Sequence, residues 1–471
     1  MLAMAKKRTP PDLSALTRGE LEGVVLSLWE RLEALESKVN KTSQNSSKPP
    51  SSDGLVKKTS SLREPSGKPP GGQLGHKGTT LKRVAEPTQT VDHPLPPQCL
   101  RCHSALPLAQ AEVAERRHVI DIPTTIFDVI EHRTLAVTCN CGQAHVSSFP
   151  AAVTETVQYG PHVRAFGVHL TQGQMLPYAR AAELIHDVYG LAISPATLLA
   201  WVAEARATLQ ATADQIADQL RAAPVLNADE SGLRVAGKLH WMHIAASDTL
   251  TWYGVHAKRG LEAIEAHGIL PKRLGVLAHD CRAPYWKLDD SIHALCNAHL
   301  LRELVYVKEI TGQQWPESMM QLLLGANRVC TAARRQQRTL DPNDVAAFRT
   351  VYDALVREGE AIHPETAQRP GQRGRKKQSV AANLLRRFRL HADAVLRFIS
   401  DPAVPFTNNV GERAVRMPKV KQKISGCFRT LAGAEHFCVI RSCLDTLRKQ
   451  GYGMLTVLQR AFAGNPIALI A

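Results

Sequence analysis

No apolar run in the 471 residues approaches the roughly 20 needed to cross a bilayer, so a membrane-spanning role is not expected. Met1 to Leu13 is basic and Pro-containing and has no apolar stretch, so no secretory signal is read there. The chain is therefore expected in a reducing cytoplasm, where its ten cysteines serve as metal ligands, catalytic groups or core residues rather than as a disulfide framework. No Ser or Tyr nucleophile motif stands out either, which removes the simplest covalent mechanisms. What is abundant is positive charge. The formal net charge is +15, and a surplus of that size points to a polyanion, since Lys and Arg bind phosphates largely by releasing counterions. Apolar residues make up 44% of the chain, which fits a folded protein, and the length predicts several domains.

The pattern along the chain divides it into segments. Leu21, Val25, Leu28, Leu32, Leu35 and Val39 are spaced alternately by four and three residues, which predicts an N-terminal helix over 1–40. That helix either packs on its own protein or forms a short dimerising coiled coil. Residues 41–90 are rich in Ser, Pro, Gly and Lys and read as a basic flexible linker. Residues 91–150 form a unit bracketed by cysteine pairs. Residues 151–222 are helical, and Gly190 followed by Ser194 and Pro195 suggests a helix-turn-helix that would bind DNA. The period shifts to short strands after Pro224. The fold class is thus multidomain α/β, with a core over 223–312, a helical insertion over 313–400, a second core part over 401–450 and a C-terminal tail over 451–471. The basic loop Arg369 to Lys377 interrupts the insertion.

Three acids have the setting of a metal site. Asp229 ends the strand beginning at Val225, Asp280 follows the apolar run Leu274 to Ala278, and Glu412 opens a helix. Acids at the ends of neighbouring strands converge over one edge of a sheet. Three hard oxygen ligands suit Mg²⁺ or Mn²⁺, and two such ions promote in-line phosphoryl displacement. Each acid also has a plainer role: Asp229 in a turn with Glu230, Ser231 and Gly232; Asp280 as a cap; Glu412 in a capping box with Asn409. Arg413, Arg416, Lys419, Lys421 and Lys423 surround Glu412 and are candidate DNA contacts. Lys419 lies seven residues on, nearly two helical turns, although Pro418 is expected to kink or end the helix before it. Cys99 and Cys102, with Cys139 and Cys141, form two pairs suited to a structural zinc, core thiols being the alternative. Cys296 and His299 share one helix face as a metal pair, a brace for the catalytic sheet, or ordinary core residues.

Together these segments resemble a transposase of the insertion-sequence sixty-six family over nearly the whole length. The linker motifs Ser46 to Asp53 and Gly71 to Gly78, the Cys99 to Cys141 unit, Ala228 to Ser231, His279-Asp280, Cys296 to Leu304, Pro405 to Arg413 and Lys421 to Arg429 carry the resemblance. It implies a ribonuclease-H-like core whose acidic triad falls on Asp229, Asp280 and Glu412. The gap of 132 positions from Asp280 to Glu412 leaves room for the helical insertion. The resemblance also matches Cys296 and His299 to a Cys-x-x-His motif and Lys419 to a basic position seven after the glutamate. It implies a DNA transposase acting on element ends and target DNA, with small accessory proteins, as a homo-oligomer. The Cys-x-Cys spacing of the second pair and Cys281-Arg282 after the second acid depart from the family pattern. Other readings are a DNA-binding regulator descended from a transposase, and another integrase or nuclease on the same core.

Overall fold

In the computed structural model, residues 16–42, 45–46, 85–86, 89–117, 127–141, 143–271, 273–366 and 376–470 are described. Two compact units result, one of residues 1–62 with 155–471 and one of residues 63–154. Most of the linker, the Gly71 to Gly78 motif, all of the Ser46 to Asp53 motif except Ser46, and the basic loop up to residue 375 lie outside the described residues. Among the described residues no helix is long and apolar enough to cross a membrane.

The smaller unit holds a three-residue hairpin, β1 (Ala136–Thr138) against β2 (Ala144–Val146), paired antiparallel. Cys139 closes that hairpin by donating its N–H to the Gln143 carbonyl at 2.8 Å. Cys99 and Cys102 sit on a tight turn in which the His103 N–H donates to the Cys99 carbonyl and His103 takes a positive φ of 56°.

The larger unit begins with α1 (Arg18–Val39), started by a capping box between Thr17 and Glu20. After α2 (Pro161–Val168) and a π-type turn over His169–Gly173, α3 (Tyr178–Tyr189) stops at Gly190, whose φ of 70° suits glycine. Ser194 then caps α4 (Pro195–Ala222), accepting the Thr197 N–H at 3.1 Å. The Gly turn between two helices is thus present. But α4 runs for 28 residues and buries Leu198, Trp201, Leu209, Ile216 and Leu220 along its length, so it is a core helix of the sheet rather than a short free-standing reader.

Five strands follow in two blocks: β3 (Val225–Val235), β4 (Lys238–Ala246) and β5 (Thr251–His256), then, after α5 (Leu261–His267), β6 (Gly275–His279) and β7 (Ser291–Leu295). Their spatial order is β5-β4-β3-β6-β7. The first three are antiparallel to one another, and β6 and β7 continue parallel to β3. The turn at Ala236-Gly237, with φ of 48° and 78°, joins β3 to β4 in the geometry that matches strand twist. Two sequence expectations change here. β3 does not end at Asp229 but runs through Asp229-Glu230-Ser231-Gly232, because β4 pairs with it all the way to Val235. The helical periodicity that the sequence shows from His293 onward overlaps the end of β7, because a five-residue strand leading straight into a helix is too short for its own period to show.

The remaining helices are α6 (Asn297–Thr311), α7 (Trp315–Arg335), α8 (Pro342–Ile362), α9 (Val380–Leu390), α10 (Ala392–Ser400), α11 (Asn409–Ser425), α12 (Leu431–Lys449) and α13 (Met454–Phe462). Leu226, Ala228, Ala245 and Leu277 on one sheet face pack with α4, α5 and α12. On the other face, Leu233, Met242, Ile244 and Tyr253 meet α11, while Val276, Ala278, Ala294 and Leu295 meet α6 to α10. The Ser442 and Thr446 hydroxyls of α12 accept the Tyr253 and Thr251 N–H groups at 2.9 Å, so this helix covers the free edge of β5. The segment expected as a C-terminal tail carries α13, whose Val457, Leu458 and Ala461 are buried; its apolar side belongs to the core.

Candidate active site

The parallel pairing of β3 with β6 fixes where the two aspartates lie. Asn227 is opposite Ala278, and two residues further along each chain come Asp229 and Asp280. Side chains alternate along a strand, so both carboxyls leave the sheet on the face that α11 crosses. Because β6 ends at His279 while β3 continues, Asp229 sits where one edge of its strand is open. Glu412 lies in the first turn of α11.

Electrostatics tie the three acids together. Burial, then the charges of Glu230 and Asp280, and least that of Glu412, push the Asp229 carboxyl up to about 8; the Glu230 N–H, 2.8 Å from its Oδ1, opposes this. Burial and Glu230 push Asp280 up to about 6 against the pull of Arg282 and Arg259. Asp280 Oδ1 is buried with no hydrogen-bond partner among the described residues. Like charges thus crowd Asp229, while the oxygens of Asp229, Asp280 and Glu412 do not all lie within 4.8 Å of one another.

Glu230, adjacent in sequence, points to the other face. Its Oε1 accepts from Arg259 Nε and Arg282 Nε, both at 2.9 Å, and its Oε2 from the Tyr285 hydroxyl at 2.5 Å. With its charge already paired, Glu230 is a weaker ligand candidate than Asp229.

One residue that sequence reasoning missed holds α11 in place. The Asn408 side-chain amide donates to the Ala228 carbonyl at 2.8 Å, next to Asp229, and its backbone N–H donates to Cys296 Sγ at 3.1 Å. Gly411 fits beside it: a Cβ there would lie 3.0 Å from Asn408 Oδ1. Asn408, not Asn409, is the N-cap residue, so Glu412 falls one position late for a capping box. Nothing in the sequence singles out Asn408, since a buried side-chain amide has no spacing rule.

Cys296 and His299 instead engage the glutamate. Cys296 Sγ–H donates toward Glu412 Oε1 at 3.7 Å, and His299 Nδ1 lies 3.7 Å from the same oxygen. Burial, reinforced by Glu412, pushes the thiol up to about 12, while burial and then Arg302 and Arg387 push His299 down to about 4. At neutral pH both are uncharged around the carboxylate. Ligand atoms of Cys296, His299 and Glu412 all lie within 4.8 Å of one another.

On α11, Glu412, Arg416, Lys419 and Lys423 fall at i, i+4, i+7 and i+11, one stripe at 100° per residue. Arg413, Arg416, Lys419 and Lys423 are exposed. Lys419 Nζ donates to the Gly232 carbonyl at 3.0 Å. Lys421 points away from the stripe, 4.0 Å over the Phe428 ring and 3.3 Å from Ser425 Oγ. Pro418 neither ends α11 nor isolates Lys419. It lacks the N–H that would reach the Ala414 carbonyl, and the Tyr253 hydroxyl fills that place at 3.2 Å.

The four thiols of the smaller unit are brought together only pairwise. Cys102, pushed down to about 7, is favoured as thiolate first by Ser104 and then by Cys99; Cys139 is lowered by Cys141. No three of the four have ligand atoms within 4.8 Å of one another.

Fold and site define an α/β protein in which aspartates of two neighbouring strands lie near a helix that carries Glu412 and a run of basic residues. Residues 156–436, well over half of the chain, match the Transposase IS66 family, and the chain belongs to that family. Residues 8–82 match a second family, described only as a family of unknown function (DUF6444). No curated protein matches the chain.

Proposed function

We propose that this family member is a DNA transposase that cleaves and joins strands at the ends of an insertion sequence, using divalent metal held by Asp229, Asp280 and Glu412. The observation that carries this reading is the pair of half-buried aspartates, one on β3 and one just past the end of β6, both with raised pKa and one with an unpartnered oxygen. Hard oxygen donors fit Mg²⁺ or Mn²⁺. When bound, such ions activate the attacking oxygen and stabilise the leaving oxygen of an in-line displacement. A mixed sheet with its two acids on adjacent parallel strands, and helices α7 to α10 between the second and third acid, supports a ribonuclease-H-like core with an insertion.

The chain's own side chains have separable tasks. Asp229 and Asp280 present oxygens from the rigid sheet. Asn408 fixes the start of α11 against β3, and Cys296 Sγ donates toward Glu412 Oε1, leaving Oε2 for the site. Arg416, Lys419 and Lys423 extend about 16 Å along α11 from Glu412 and grip phosphates of the strand leading from the scissile bond, with Arg413 beside them. DNA carrying the element's terminal repeats, target DNA and neighbouring small accessory proteins are the partners this reading implies.

The test is cleavage and joining of DNA bearing the terminal repeats, with Mg²⁺ or Mn²⁺ and the accessory proteins present. Glu412→Ala is expected to abolish product while DNA affinity stays within about twofold, the basic stripe being intact. Equal product from Glu412→Ala removes the glutamate from the mechanism. DNA binding by wild-type protein without metal-dependent cleavage favours a regulator instead.

A further inference from the structure

We infer that His279 is a positioning residue for Asp280: its imidazole, held in one tautomer by His293, is the acceptor that fixes the turn carrying the second aspartate. This rests on the metal site proposed above and extends it to a residue outside the acids. The strand ladder stops one residue short of Asp280. β6 pairs with β7 up to His279, opposite Leu295. The chain then turns through Cys281, whose φ of 67° lies in the left-handed region that few residues other than glycine occupy. Such a conformation persists only where its surroundings over-determine it. Here the Cys281 N–H donates to His279 Nδ1 at 3.1 Å, so the side chain before Asp280 clasps the backbone after it.

The acceptor role dictates where the ring proton sits. A nitrogen that accepts carries no proton, so the proton of His279 is on Nε2, which lies 3.1 Å from His293 Nδ1. His293 accepts there and keeps its own proton on Nε2. His279 is fully buried. Burial, then His293 and His391, push it down to about 3, so the ring is neutral and Nδ1 stays an acceptor. The pair is also clamped from the helical insertion. Trp286 stacks on His391, at the joint of α9 and α10, with ring centroids 3.7 Å apart and planes at 14°, and packs 4.6 Å from His293. Tyr285 lies 4.9 Å from the His279 ring. Neighbouring rings thus hold the orientation that the two hydrogen bonds require.

A space-filling role and an acceptor role make opposite predictions for two substitutions. Asparagine puts Oδ1 where Nδ1 stands and leaves the outer half of the ring's volume empty. Glutamine fills more of that volume and can donate to His293 as Nε2–H does, but it offers no acceptor at the Nδ1 position. If His279 only fills space, glutamine is the better replacement. If it holds the turn at Cys281, asparagine is.

The experiment is calorimetric titration of the full chain with Mn²⁺, for wild type, His279→Asn and His279→Gln, each checked for a cooperative unfolding transition. His279→Gln is expected to weaken Mn²⁺ binding roughly tenfold or more, the usual loss when a partner that orients a metal ligand is removed, while His279→Asn stays within about threefold. Equal weakening in both, or the larger loss in His279→Asn, overturns the proposal. Crystal structures of the two variants without metal answer separately. Cys281 is expected to leave positive φ in His279→Gln, with Asp280 displaced, and to keep it in His279→Asn. An unmoved Asp280 in His279→Gln overturns the proposal. A wild type that binds no Mn²⁺ refutes the metal reading instead, and the two structures still decide this one. If neither variant folds, neutron diffraction from wild-type crystals locates the His279 ring proton: on Nε2 as the inference requires, or on Nδ1, which overturns it.

Discussion

Replacing Asp229 by Asn is expected to stabilise the metal-free protein while eliminating its activity. The carboxyl is pushed from 3.8 up to about 8, roughly four pKa units, and each unit corresponds to about 1.4 kcal/mol. Full ionisation without metal therefore costs up to about 6 kcal/mol. The sign follows from proton binding. The folded state holds this proton more tightly than the unfolded chain, so stability is greatest below about pH 4 and is lost progressively as pH rises toward 8. An asparagine has no such dependence. Its Oδ1 can still accept the Glu230 N–H now bonded at 2.8 Å, and its amide can donate to the unpartnered Asp280 Oδ1. Desolvation of the amide offsets part of the gain, leaving about 2–4 kcal/mol at pH 8. Urea denaturation in EDTA at pH 6 and pH 8 measures it: the variant should be more stable, with the larger difference at pH 8. Adding Mg²⁺ should raise wild-type stability at pH 8 and leave the variant nearly unmoved. A variant less stable than wild type in EDTA would show that Asp229 is a structural residue and refute the reasoning.

Other residues give separable outcomes. Tyr253→Phe removes the hydroxyl that serves both the Ala414 carbonyl beside Pro418 and, at 2.7 Å, Asp445 Oδ2; a loss of about 1–3 kcal/mol in chemical denaturation is expected, and no loss would mean the carbonyl needs no substitute donor. Lys423→Ala should weaken DNA binding and lower the slope of log affinity against log salt by about one. Lys421→Ala, which loses its contact with Phe428, should leave that slope alone and cost about 0.5–1 kcal/mol of stability; the opposite assignment in fluorescence anisotropy would contradict the division of the basic helix.

Much of this architecture can be read from residue order, and the parts that cannot share a physical cause. Local signals succeed where the determinant is local: Gly190 and Ser194 bound their helices as capping chemistry requires, and the apolar run before His279 is a strand. Lys419 follows Glu412 by nearly two turns in one unbroken helix. Pro418 misleads because its cost depends on a donor 165 residues away in sequence, the Tyr253 hydroxyl. β3 extends past Asp229 because β4 pairs with it, a long-range fact that outweighs the turn-forming look of Asp229 to Gly232. The distinction between Asp229 and Glu230 likewise needs Arg259, Arg282 and Tyr285, none of which has a fixed spacing from the pair.

Anomalous diffraction from crystals grown with Mn²⁺ tests the central claim most directly, because Glu412 lies within ligand distance of Cys296 and His299 as well as being the third acid proposed for the metal. The account predicts manganese between Asp229, Asp280 and Glu412, lost in Asp280→Asn. Manganese held instead among Cys296, His299 and Glu412, with none on the aspartates, would contradict it.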